Sequence, residues 1–124
     1  MVVLIDGTNY VRAIKTVNPD GSLTFSCAID HGLVLRAASR VDFVENLTHA
    51  FAVIRREIGE PQLTIGFDCA LRKLEMTQCG LVDRVETVLR DNNVTGFSSY
   101  GEQYHGAHVN QTLTGIAISR PTPA

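Results

Sequence analysis

Residues Ser39 to Gly59 read SRVDFVENLTHAFAVIRREIG, and the chain continues from Glu60 to Cys69 as EPQLTIGFDC. Val44, Leu47, Phe51, Ile54 and Ile58 recur at alternating spacings of three and four, which places them on one face of a helix. Ser39 with Asp42 three residues later resembles a capping signature. Gly59 supplies a stop, and Pro61 prevents continuation. His49 lies off the apolar stripe and is expected in solvent. The stripe needs an apolar surface to pack on, and Leu63 to Phe67 reads as a short buried strand ending at Asp68-Cys69.

Working outward from this helix–strand unit, the N-terminal side looks like β structure. Tyr10 to Val17 (YVRAIKTV) mixes β-branched, aromatic and charged residues as a half-buried strand does. Asn18-Pro19-Asp20-Gly21 has turn chemistry, and Leu23 to Ala28 and Leu33 to Ala37 complete a β-meander. On the C-terminal side, Leu74, Leu81, Val85 and Val88 mark a second helix from about Leu71 to Asp91, with Gly80 a point where it can break. Val94 to Ser99 and Thr112 to Ser119 are strand candidates, and Arg120 to Ala124 a frayed tail. The order β-β-β-α-β-α-β-β predicts an α+β domain, with a mainly antiparallel sheet of five to six strands and two helices packed on it.

Composition narrows the function classes without choosing one. The 124 residues include 11 basic and 13 acidic side chains, a net charge of −2, with 44% hydrophobic and 19% charged residues. That fits one ordinary globular domain rather than a disordered chain. The balance lacks the basic footprint of a nucleic-acid binder. No apolar run reaches a membrane span, and MVVLIDG lacks the basic start and cleavage site of a secretory signal. Cys27, Cys69 and Cys79 show no metal or redox spacing. Cys27 and Cys79 are expected to pack as small hydrophobes, and the cysteine usage predicts a reducing, cytoplasmic setting.

Chemistry concentrates in Gly96 to Thr112, GFSSYGEQYHGAHVNQT, which holds two histidines, two tyrosines, a carboxylate and several glycines. Glu102, His105 and His108, three apart, could converge on a metal or form a polar exposed loop. A single histidine facing an apolar wall of Phe67, Phe97, Tyr100 and Tyr104 would instead suit haem iron. Cys69-Ala70-Leu71-Arg72 lies where a strand meets a helix. There Arg72 offers a planar fork for a carboxylate or a haem propionate, or serves as an ordinary ion-pair residue.

The Gly96-Phe97 to Gly101-Glu102 segment, the His108-Val109-Asn110-Gln111-Thr112 stretch, the Cys69/Arg72 pair and the Asp20-Gly21 turn together resemble the FIST C-terminal domain, over about Asp6 to Ile118. Within that family the wording is similar to the nitric-oxide-sensing haem subgroup, NosP. The resemblance implies a bacterial sensory module that binds a small ligand. It also implies that residues 1–124 are the C-terminal part of a longer protein that carries an N-terminal FIST half. Carried over position by position, the ligand-binding residues would be Cys69, Arg72, Gly101, Glu102, Asn110 and Thr112. The subgroup resemblance implies haem held by His108, or failing that His105, beside Arg72, Tyr100 and Tyr104. It further implies a nitric-oxide response passed to a histidine kinase.

Three other readings stand beside this one. Arg72 could clamp the carboxylate of an amino acid while Glu102 and Asn110 receive its amino group. Cys69 could act as an enzyme nucleophile with His105 or His108 as base, although the resemblance points to a sensor and not an enzyme. The domain could also be a protein–protein scaffold. An incomplete haem pocket would leave apolar surface and favour a homodimer.

Overall fold

The structure, a computed structural model, describes residues 1–5, 7–104 and 106–119. Five short strands come first: β1 (Val2–Ile5), β2 (Thr8–Val11), β3 (Ile14–Val17), β4 (Leu23–Phe25) and β5 (Leu35–Arg36). Helix α1 (Phe43–Ile58) leads into β6 (Pro61–Cys69), followed by α2 (Ala70–Gln78) and α3 (Val82–Asp91). The chain closes with β7 (Val94–Ser99), β8 (Glu102–Tyr104), β9 (Ala107–Val109) and β10 (Leu113–Ser119).

The α+β class and most of the order agree with expectation, but the single sheet of five to six strands does not form. The described strands divide into two three-stranded sheets, β2-β1-β5 and β10-β6-β7, and two hairpins, β3-β4 and β8-β9. All pairings are antiparallel except β6 with β7, which run parallel because α2 and α3 form the crossover between them. The N-terminal region fragments because its strands are only two to four residues long. The expected strand Tyr10 to Val17 is split between β2 and β3, and β1, absent from the expected meander, takes the centre of its sheet.

The second expected helix is two helices. Gly80 takes φ +65°, its N–H donates to the Thr77 carbonyl at 3.2 Å, and the Leu81 N–H donates to the Met76 carbonyl at 2.8 Å. This is a Schellman ending, with Leu81 and Met76 both packed into the core beside it. Helix α1 starts at Asp42 rather than Ser39, and the Asp42 carboxylate accepts from the Glu45 N–H at 2.7 Å. His49 is exposed, as expected. Cys79, expected to pack, is exposed at the end of α2, whereas Cys69 is fully buried.

Val44, Leu47, Phe51, Met76 and Val85 form the buried core, with Val94 and Leu113 of the central sheet packed against it. Ile58, at the end of the α1 stripe, is exposed. Successive strand residues point to opposite faces, and the register aligns Leu63 with Ile118, Ile65 with Ile116 and Thr95, and Phe67 with Phe97. These residues form the face of β10-β6-β7 away from the core. It is apolar yet open, with Ile116 60% and Phe97 64% exposed.

Candidate functional site

Beyond the C-terminal end of β6, several segments meet around buried polar groups. Glu102, the first residue of β8, is 3% exposed. One of its oxygens accepts from the Ser99 hydroxyl at 2.6 Å and the other from the Thr112 hydroxyl at 2.8 Å. Thr112 also uses its carbonyl, which accepts from the Cys69 N–H at 3.0 Å. In the first turn of α2, Arg72 donates from Nε to Asp68 Oδ1 at 2.7 Å, and its guanidinium lies 4.2 Å from the centre of the Phe43 ring. Both partners of this ion pair are largely buried. Burial raises the Asp68 carboxyl above the ordinary value of 3.8; Arg72 opposes that rise and the nearby Glu102 charge adds to it.

Not every buried polar atom here is satisfied. Arg72 Nη2, Asn110 Oδ1 and Arg12 Nε are buried without a hydrogen-bond partner. Unmet groups of this kind are costly and uncommon in folded proteins. Arg72 stands where two spaces join. An apolar slot of about 370 Å³ lies between α1 and the central sheet, and a more polar cleft of about 610 Å³ lies between the N-terminal strands and α2. Val11, Asn46, Arg72 and Gln111 line both. Gln111, between β9 and β10, has φ +57°, a left-handed conformation that costs about 1–3 kcal/mol for such a residue. In that conformation its amide donates to Glu75 Oε2 at 3.4 Å. Glu75 Oε1 also accepts from Arg40.

Of the residues singled out by sequence, Cys69, Arg72, Glu102, Asn110 and Thr112 converge here. Cys69 is 0% exposed, so its thiol is not presented to a substrate. Glu102 is committed to two hydroxyls and lines neither space. The β8–β9 hairpin pairs Glu102 with Val109 and Gln103 with His108, so Glu102 and His108 occupy opposite faces and do not converge on a metal. A Cβ on Gly101 would lie 2.2 Å from His108 Cε1, so the imidazole rests over the Gly101 backbone. Tyr100 and Tyr104 are exposed. His105 lies outside the described residues.

Sequence reasoning missed Asp68, Ser99, Gln111 and Arg12 as members of this region. A carboxylate four residues before Arg72 was a usable signal for Asp68. Arg12, which lies between β2 and β3, carried none, because a charged residue within the expected strand Tyr10 to Val17 is ordinary.

Haem needs an apolar enclosure around its axial ligand. His108 is solvent-exposed and lines none of the slot, the cleft or a third space of about 330 Å³ beneath α2 and α3. Among the described residues no group of three or more His, Cys, Asp or Glu side chains could hold a metal ion. The chain therefore offers His108 an open surface, not a pocket that fits haem.

An α+β domain that sets a ligand-sized space beside an under-satisfied arginine has the form of a small-molecule binding domain. The sequence places it further: it belongs to the FIST C domain family, whose sequence model matches residues 1–105. That family consists of sensory domains of signal transduction. The match includes Cys69, Arg72, Gly101 and Glu102 and stops before Asn110 and Thr112. No curated protein and no solved structure matches the chain. Among the described residues no helix is long and apolar enough to cross a membrane.

Proposed function

We propose that this chain is the ligand-binding part of a signal-transduction sensor that takes an amino acid or another small metabolite at Arg72. The observation that carries the reading is the buried Arg72 Nη2, left without a partner where slot and cleft join. A guanidinium fork with one nitrogen held by Asp68 and another unmet is suited to an anionic group. Glu102 and Asn110 act behind the ligand. Glu102 ties Ser99 to Thr112, and Thr112 fixes the end of β6, from which α2 and Arg72 depart. Binding would exert its effect through Gln111, whose left-handed turn joins the hairpin to β10. A ligand that relieves or reinforces that turn has different free energies in two conformations, which a sensor requires. The receiver would be a histidine kinase or another signalling protein.

The test is a thermal-shift screen of amino acids and small acids on the chain and on Arg72→Met. At least one compound should raise the melting temperature of the parent and not of the variant. If no compound stabilises the parent, the reading falls. A haem and nitric-oxide role on His108 is a second reading, with the exposed imidazole resting over the Gly101 backbone. That surface would be one wall of a pocket that another surface completes. A Soret band present with haem and lost in His108→Ala would support it.

A further inference from the structure

The slot lies over two members of a row of three glycines. The register aligns Gly115 of β10, Gly66 of β6 and Gly96 of β7 in one row; Gly66 and Gly115 line the slot beneath α1, and Gly96 lines the space beneath α2 and α3. Two of them cannot be replaced without moving backbone. A Cβ on Gly115 would lie 2.4 Å from the Ile65 carbonyl oxygen, and one on Gly96 would lie 1.8 Å from that of Gly66. At Gly66 a Cβ would press on the Val94 and Leu113 side chains, at 3.1 and 3.4 Å, with the Thr95 carbonyl oxygen at an ordinary contact distance of 3.9 Å. A sheet with no side chains along one row leaves a hollow beneath the helix. Leu47, Phe51, Ile54 and Leu113 wall this one, with Gly66 and Gly115 in its floor.

The two ends of the combined space differ in chemistry. The slot is mainly apolar, with Asn46, Gln111 and several threonines at its edges, whereas the cleft is lined by Arg12 and Arg72, each with a buried guanidinium nitrogen lacking a partner. Glu75 is the one acidic residue lining either space among the described residues, and Arg40 and Gln111 already occupy its two oxygens. The site therefore has unmet donors for an anion, room for an apolar tail and no unengaged carboxylate oxygen for an ammonium group.

We infer that the ligand is a monocarboxylate with an apolar tail, its carboxylate held by Arg72 with Arg12 and its tail laid over Gly66 and Gly115 under α1. This deepens the sensor reading and rests on it. An α-amino group adds nothing to recognition, so the ligand class is an acyl acid rather than an amino acid.

Calorimetric titration of the chain with isocaproate, isocaproamide and leucine separates the possibilities. Isocaproate should bind at least about tenfold more tightly than its uncharged amide, and Arg72→Met should abolish that preference. Ala50→Leu should weaken isocaproate about tenfold or more. Ala50 lines the slot from an exposed position of α1, where leucine is a good helix former, so the fold is retained. Equal binding of acid and amide would overturn the ligand class, as would leucine binding tenfold tighter than isocaproate. So would a failure of isocaproate where other metabolites stabilise the chain, and each of these three results leaves the sensor reading intact. If neither these probes nor any metabolite binds, both inferences fall.

Discussion

The two faces of the β10-β6-β7 sheet are both apolar, yet only one is covered. On the covered face Val94 and Leu113 join the Val44–Leu47–Phe51–Met76–Val85 core, and Gly66 and Gly115 floor a slot beneath α1. On the open face Leu63, Ile65, Phe67, Phe97, Ile116 and Ile118 lie over three strands with no helix above them among the described residues. Only the covered face reaches Arg72. The contrast teaches that apolar pattern alone does not locate a site in this domain. What distinguishes the side of the proposed site is missing volume next to an unmet charge.

The largest test of the contrast is Phe51→Ala. Phe51 is 4% exposed at the centre of the helical layer, and truncation should cost about 3–5 kcal/mol in chemical denaturation. A cost near 1 kcal/mol would mean that the slot side is not a packed core. The glycine row gives the next effect. Gly96→Ala forces backbone apart at φ +156° and should cost about 2–3 kcal/mol, whereas Gly66→Ala presses only on two side chains and should cost about 1 kcal/mol. Equal costs would show that the row is not built as the register describes.

Much of the covered face was legible because a helix repeats its chemistry every turn. Val44, Leu47 and Phe51 announce α1, and Gly80 announces the break that separates α2 from α3. The slot was not legible. Gly66, Gly96 and Gly115 are far apart in the chain, each sits in a plausible strand, and only pairing shows that they share a row. The site was half legible: Arg72 and Glu102 stand out in motifs, but the partners that decide their roles do not. Glu102 looks free in sequence and is bound to Ser99 and Thr112. The expected single sheet failed for a similar reason. Strands of two to four residues carry too little pattern to specify their neighbours, so Val2–Ile5 gave no sign that it would pair with both β2 and β5.

A smaller effect concerns the charge beside the slot. The folded state holds the Asp68 carboxyl above its ordinary value, so in the window just above 3.8 the folded chain binds more protons there than the unfolded chain. The contribution of Asp68 to stability therefore falls as pH rises through that window. Asp68→Asn keeps an acceptor for Arg72 Nε but cannot ionise. The urea midpoint of the variant relative to the parent should rise as pH increases from about 4. A difference that falls over the same range would mean that Arg72, and not burial, dominates the Asp68 carboxyl.

The smallest expected effect tests the other half of the comparison. Ile116 is 60% exposed on the open face and pairs in register with Ile65. Threonine keeps the β-branched shape that suits a strand and exchanges a methyl-bearing arm for a hydroxyl that water can reach. Where the face is bare, Ile116→Thr should change stability by no more than about 0.5 kcal/mol. The same change against a packed surface would bury an unpaired hydroxyl and cost about 1–3 kcal/mol. Denaturation at several protein concentrations distinguishes the two cases, because a surface covered by another chain makes the penalty grow with concentration. A small, concentration-independent change would keep the open face bare and leave the proposed ligand recognition to the side that carries Arg72.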